Sequence, residues 1–375
     1  MIRKHLHIIA FDIPYPADYG GVIDVFYQIR ALYRAGISIH LHCFQYGGRM
    51  PHRELEKYCV SVRYYRRRVG LFSFMSKNPY IIQSRRSKKL EKSLLRNHFP
   101  ILCEGIHSCG IVLNPKFTKR NIILRAANVE HDYYASLAEK ESNPFKRFYY
   151  KSEAKKLNSW EKNLPFVRSV VAISDNDFEY FSKTFPNKIV IRAYGFNALD
   201  DIESMEGKGK FALFHANLSV AENIEAAVFL IEKVAPWTDY PFVIAGKSPS
   251  KEIMEKADNQ KNVKIIANPS EFKMQNLIRE AHIQLMLTFQ STGFKLKLIT
   301  SLFAGRFVIA NDGMMQGNGL KKCILCANTP EEFMSMIHML KDKAFDSSEI
   351  QRRKTCISED YFNQKKAKDI INLLK

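Results

Sequence analysis

The chain has 375 residues, of which 46% are hydrophobic, and its 57 Lys and Arg against 38 Asp and Glu give a formal charge of +19. Such a length allows about two domains, each with its own core, and the apolar share excludes a disordered chain. No apolar run reaches the length of a membrane span, so the excess of cations points to polyanionic company at a surface: nucleic acid, anionic lipid or phosphorylated substrates.

In chain order, His5 to Phe11 predicts an opening strand, Asp12 to Gly21 a loop, Val22 to Arg34 a helix and Ile37 to Phe44 a second strand. The start, Met1 to Ile13, has neither a sustained signal-peptide core nor a small-residue cleavage site, and cytoplasmic residence is the expectation. Gly20-Gly21 follows a strand and precedes a helix, a place where backbone N–H groups come close to a donor phosphate or an acceptor; a tight turn needing positive φ would use the same pair. From Arg63 to Arg96, Arg66-Arg67-Arg68 and Arg85-Arg86-Ser87-Lys88-Lys89 bracket Leu71, Phe72 and Phe74. Basic clusters around apolar side chains suit the surface of an anionic bilayer, against the alternative of a solvated helix with one buried face.

Further strands are expected at Pro100 to Glu104, Asn121 to Ala126 and Ser169 to Ile173. Glu104 and His107 follow one of them and can line a ligand cleft, with His107 reaching an acceptor phosphate or hydroxyl. Glu130-His131-Asp132 closes another: His131 can serve an acceptor hydroxyl or a departing diphosphate, and Glu130 either joins it or caps the next helix.

Ala198 to Lys210 is acidic, then rich in Gly and Lys, and reads as a linker. Alternation then restarts with strands at Phe211 to His215, Phe242 to Ala245, Val263 to Ile266, Ile283 to Thr288 and Phe307 to Ala310, and helices at Val220 to Val234, Ser270 to Glu280 and Lys295 to Ala304. Between the fourth of these strands and the last helix stands Ser291 to Lys297. Gly293 there permits close approach to the backbone, the first helical turn offers unpaired N–H groups, and Lys295 and Lys297 add charge, which suits capture of a nucleotide diphosphate. Seven cysteines are scattered; Cys323 and Cys326 have redox or zinc spacing, but no second pair or His cluster accompanies them, and no metal site is expected. Nucleic acid is set aside as a partner, since no zinc finger, RNA-binding aromatic signature or long basic helix goes with the charge. The alternation predicts an α/β protein of two doubly wound, Rossmann-like domains facing a central cleft, 1–197 and 210–360.

The order and spacing of several short motifs resemble the GT-B glycosyltransferases of the group-1 (family four) class, especially bacterial members that build surface polysaccharides. The carriers are Pro14 to Gly21, Cys103 to His107, Arg125 to Tyr134 and Ala172 to Asp177, then Phe214 to Asn223, Val243 to Gly246, Gly293 to Leu298 and Gly305 to Asn311. The resemblance implies an acceptor-side first domain, onto which a helix at 361–375 packs back, and a donor-binding second domain. It implies hexosyl transfer with retention from a nucleotide diphosphate sugar, without cofactor or metal, to a glycan or polyprenyl-linked acceptor at the inner face of the plasma membrane. On this reading His131, Glu130 and His107 are catalytic. Gly20, Gly21, Asn217, Lys247, Thr292, Gly293, Phe294, Lys295, Lys297 and Thr300 hold the donor; Arg66, Arg67, Arg68, Phe72, Phe74, Arg85, Arg86, Lys88 and Lys89 touch the membrane. The chain departs from the family where two glutamates are usual, having Thr292 and Thr300, and where an Arg and a Lys are usual, having Asn217 and Glu222-Asn223. Lys247, Lys295, Lys297 and Arg306 can replace that charge. Ala127 stands where relatives often have His, which leaves His131 as the nearer imidazole. A GT-B-like binding or assembly protein without turnover is the alternative.

Overall fold

The computed structural model describes residues 4–289 and 295–375, which form two compact units: 4–196 with 360–375, and 197–289 with 295–359. The first is built on a seven-stranded parallel sheet of β1 (His5–Ala10), β2 (Ser38–Gln45), β3 (Ser61–Arg66), β4 (Ile101–Glu104), β5 (Ile122–Ala126), β6 (Val167–Ala172) and β7 (Ile189–Arg192), in the order β3-β2-β1-β4-β5-β6-β7. The second has six parallel strands, β8 (Ala212–Asn217), β9 (Phe242–Lys247), β10 (Val263–Ala267), β11 (Ile283–Met286), β12 (Phe307–Ala310) and β13 (Leu325–Cys326), in the order β10-β9-β8-β11-β12-β13. Both are doubly wound α/β sheets, as the alternation predicts.

Leu6, Ile8, Ile9, Ile101, Leu102, Ile122 and Ile123 are fully buried between helices on the two faces, which is why the central strands read as continuous apolar runs. The strands β3 and β7 pair on one side only and keep Arg63, Arg66 and Ile189 exposed, so a search for apolar runs passes over them. In the second unit a Cβ on Gly246 would overlap the Ala216 carbonyl of the neighbouring strand; only glycine permits that approach.

Residues 198–210 are not a free linker. Glu203 N–H donates to Phe303 O at 2.7 Å, Gly207 N–H to Phe345 O at 2.8 Å and Gly209 N–H to His282 Nδ1 at 3.1 Å, while buried Arg353 donates to Ser204 Oγ at 2.7 Å. Arg353 also holds the Leu302 and Gly305 carbonyls. The polar composition that imitates a linker serves these backbone bonds. The last helix, Asn363–Asn372, packs in the first unit, where Lys366 donates to Gly195 O at 2.8 Å and Asn121 to Leu373 O at 2.7 Å.

Cys323 pairs with Cys356 as a disulfide rather than acting with Cys326, whose Sγ lies 3.6 Å from Asp312 Oδ1. Among the described residues no group of three or more His, Cys, Asp or Glu is placed to hold a metal ion, and no helix is long and apolar enough to cross a membrane. That includes the buried run of His7, His42 and Tyr65, joined by ring-nitrogen bonds of 2.9 Å; burial lowers His7 to about 4 and His42 to about 3, keeping both neutral.

Candidate functional site

Ligands of doubly wound sheets gather at the carboxyl ends of the strands, where the strand order reverses. In the first unit the reversal falls between β1 and β4. Below it Arg125 of β5 clamps Asp24 of the helix Gly20–Arg34 by bonds of 2.6 and 2.8 Å, with Glu104 at 3.3 Å. Asp24 Oδ1 also accepts from Phe196 N–H at 2.6 Å. Glu104, expected to face a ligand, is turned into this buried triad, where burial pushes it up to about 7 against the pull of Arg125.

Neither Gly20 nor Gly21 has a positive φ, so the pair is not there for a turn. A Cβ on Gly21 would meet the Phe11 ring at 3.0 Å, whereas Gly20 has nothing within 4 Å of that position and leaves the first helical turn open to a ligand. His107 lies with its ring 5.6 Å from Phe11 and its Nδ1 4.0 Å from Glu130 Oε1. Burial, then the charges of Arg85 and Arg67, hold it well below the ordinary imidazole range. Glu130 is pushed up to about 8 by burial and by the charge of Glu161. Near neutral pH the pair is therefore a carboxylic acid facing an uncharged imidazole, one proton donor beside one acceptor.

His131 is held apart from that pair. Its Nδ1 is 2.5 Å from Glu161 Oε2 and its Nε2 3.3 Å from Asp132 Oδ1, and the bond to Glu161 raises its pKa against burial. A ring whose charged form is favoured in this way suits charge stabilisation better than proton abstraction. Glu161 also accepts from Glu130 N–H at 2.8 Å, so it is the anchor of this corner. The sequence gives no sign of it, since a glutamate between Trp160 and Lys162 on a lysine-rich helix reads as solvated.

The basic segment is divided by the fold. Arg85, expected at a membrane, is only 5% exposed and donates to Phe11 O at 3.0 Å and Ile81 O at 2.9 Å. Arg67 is part-buried on Ser84 Oγ at 2.9 Å. Arg66, Arg68, Lys88 and Lys89 are exposed, and Arg86 and Lys88 line, with Arg68, Gln83, Ser87 and Glu91, a surface pocket of about 180 Å³. The Phe72 side chain lies outside those described. Phe74 stacks on Tyr149 at 5.2 Å, and the same face of the helix Pro144–Lys162 presents Phe145 and Phe148, 85% and 76% exposed.

In the second unit the strand order reverses between β8 and β11. Asn217 and Lys247 end β8 and β9, both exposed, and Asn217 Oδ1 accepts from Ser219 N–H at 3.2 Å and from its hydroxyl at 2.8 Å. Lys295 precedes the helix Leu296–Ala304. On that helix Lys297 turns inward, with Nζ 3.4 Å from Asn223 Oδ1 and 5.2 Å over the Phe214 ring. Burial, then the charge of Lys295, lowers it to about 8. Thr300 donates to Leu296 O at 3.3 Å within its own helix. Arg306 does not join this group: it precedes β12 and donates to the Arg279 carbonyl at 2.6 Å and the Ala281 carbonyl at 3.2 Å, at the opposite ends of the strands. Thr292, Gly293 and Phe294 lie outside the described residues.

Residues 209–342 match the model of a family described as glycosyl transferases, group 1. A curated relative, an uncharacterized 44.6 kDa protein in the cps region of Klebsiella pneumoniae, is 26% identical over 334 residues, 83% of this chain and 84% of its own. Among solved structures, TarM superposes with a TM-score of 0.66 at 11% identity, covering 99% of both chains. HepE of Anabaena, solved with UDP and glucose, does so at 0.60 and 12% identity, covering 98% of this chain and 96% of its own.

Proposed function

We propose, for a chain that belongs to the group-1 GT-B glycosyltransferases, that it moves a hexose or related sugar, with retention, from a nucleotide diphosphate sugar to a lipid-linked glycan in surface polysaccharide synthesis. The donor is a substrate, and no resident cofactor enters the proposal. The observation that carries it is Lys297: a part-buried ammonium at the carboxyl edge of the second sheet, whose hydrogen-bond acceptor among the described residues is the neutral Asn223 Oδ1, inside the segment that matches the family. A part-buried cation, with the charge of Lys295 beside it and only the charge of Glu222 to offset the two, favours an arriving anion. The departing diphosphate gains charge as the glycosidic bond breaks, and Lys297 with the start of its helix stabilises that charge. On the first unit, the His107–Glu130 pair can hand a proton to and from an acceptor hydroxyl.

Saturating UDP, the nucleotide in the HepE structure, is expected to raise the melting temperature, since a ligand at one hundred times its Kd adds about 2.7 kcal/mol to the folded state. GDP, TDP and ADP test the choice of base. No shift with any of the four would remove the donor reading. A second reading, binding without turnover, is favoured by Thr300, whose hydroxyl is engaged on its own helix where the family has a carboxylate. Nucleotide binding with neither transfer nor donor hydrolysis would select it.

We also infer contact with an anionic bilayer, centred now on Phe74, Phe145 and Phe148 with the exposed Lys146, Arg147 and Arg68 as its cations, rather than on Arg85. Changing Phe145 and Phe148 together to Ser is expected to release the protein from anionic vesicles with no loss of melting temperature. Equal sedimentation of the unaltered protein with neutral and anionic vesicles would refute the contact.

A further inference from the structure

We propose that Arg67 and Arg85 form a phosphate site in the first unit that grips the phosphate or diphosphate of an amphiphilic, lipid-linked acceptor. The ligand's role as acceptor rests on the transfer reading above; its binding does not. The parallel sheet brings the ends of β1, β2 and β3 side by side, and with them Phe11, Tyr46 and Arg67. The short helix Tyr80–Gln83 then delivers Arg85 to the same place. Both guanidinium groups lie against one ring, Arg67 at 4.6 Å and Arg85 at 5.8 Å from the centroid of Tyr46, and Arg67 is also 5.7 Å from that of Tyr80.

Two like charges so placed repel each other, and among the described residues no carboxylate lies within ion-pair distance of either. Asp12, whose charge reaches Arg85, is engaged by Tyr19 OH and Ile13 N–H, each at 2.8 Å. Arg67 spends Nε and Nη2 on Ser84, and Arg85 spends Nε and Nη1 on the Phe11 and Ile81 carbonyls. That leaves Arg67 Nη1 and Arg85 Nη2 without an acceptor among the described residues. Burial and the charge of Arg67 both depress Arg85, to about 10, and the charge of Asp12 offsets them only in part.

A phosphate matches this arrangement better than a carboxylate. It carries roughly −1.5 to −2 charge near pH 7 and three acceptor oxygens, enough for both guanidinium groups, where a carboxylate neutralises one. The surroundings favour an amphiphile over a free ion. Tyr80, beside Arg67, donates its N–H at 2.6 Å to Glu153 on the helix Pro144–Lys162, whose half-buried Tyr149 stacks on the exposed Phe74, so an aromatic strip leads away from the arginines and can take a prenyl chain. His107, whose imidazole feels both arginine charges, then lies beside the bound phosphate, toward Glu130.

Titration calorimetry with geranyl diphosphate, inorganic pyrophosphate and UDP tests the site. Geranyl diphosphate is expected to bind the unaltered protein, at least tenfold more weakly to Arg67→Gln and several-fold more weakly to Phe74→Ser, while UDP binds both variants as before. Lys297→Ala should do the reverse, weakening UDP and sparing geranyl diphosphate, so that failure of the donor site and failure of this one are told apart. An unchanged Kd for geranyl diphosphate in Arg67→Gln overturns the proposal. So does pyrophosphate binding as tightly as geranyl diphosphate, which would make this a site for the free anion. Loss of both ligands together with a lowered melting temperature in Arg67→Gln would assign Arg67 to the fold and equally overturn it.

Discussion

Arg125→Ala is expected to destabilise the first unit by about 3–5 kcal/mol, because it strands Asp24 and Glu104 as uncompensated acids in a buried place. For a unit of this size that is a fall of roughly 10 °C in melting temperature. The loss extends beyond the ion pairs, since Asp24 also receives the Phe196 N–H and so ties the opening helix to the end of the unit. The chain has two tryptophans, and Trp160 belongs to the first unit and Trp237 to the second; Trp237→Phe therefore leaves a fluorescence signal for the unit in question. The deficit should shrink as pH falls from about 9 to about 7. Without Arg125 the folded-state pKa of Glu104, already about 7, rises further above its unfolded value. Above about pH 7 the folded variant then holds a proton that the folded unaltered protein has lost, so the deficit falls as pH drops to about 7 and is level below it, where both are protonated. An unchanged urea midpoint at pH 8, or a deficit that grows on acidification, would show that the triad does not carry this load.

The second large effect is expected at Lys297. Lys297→Ala should lower kcat by roughly 10²–10³, the range for removing a preorganised donor from a developing oxyanion, with a smaller change in acceptor KM. Its pKa of about 8 adds a sign to the experiment: the ammonium is charged below that value and loses its proton as pH rises through it. For the unaltered enzyme kcat/KM, which reports groups of the free enzyme, should therefore decline above about pH 8. Lys297→Arg keeps its charge and should abolish the decline even if it turns over more slowly. Equal kcat in Lys297→Ala, or the same alkaline decline in Lys297→Arg, would place the diphosphate elsewhere.

Much of the frame was legible because buried parallel strands leave little choice of residue. The runs around Ile8, Leu102, Ile123 and Val170 could only be central strands, and their alternation with helices implied two doubly wound sheets. The edge strands β3 and β7 were not legible, since one exposed side lets Arg63 or Ile189 stand where the pattern asks otherwise. The segment at 198–210 misled for a related reason: acidic and glycine-rich composition is the same whether the backbone meets water or the carbonyl of Phe303.

Charge divides the two sources of information most sharply. By itself the sequence determined the cationic surplus, the lysines at a strand-to-helix junction, and that His107, Glu130 and Lys297 stand next to strands of the two sheets. Only the tertiary structure decided which charges are available. Arg85 and Arg67, neighbours in sequence of the exposed Lys88 and Arg66, are drawn together at Tyr46, the first buried and the second half-buried; Glu161 leaves solvent to hold His131; and Arg125 is spent on Asp24, a residue 101 positions away. The reason is that the free energy of a charge depends on its solvent exposure and on the groups within a few ångströms, and for residues far apart in the chain both are set by how the strands and helices pack.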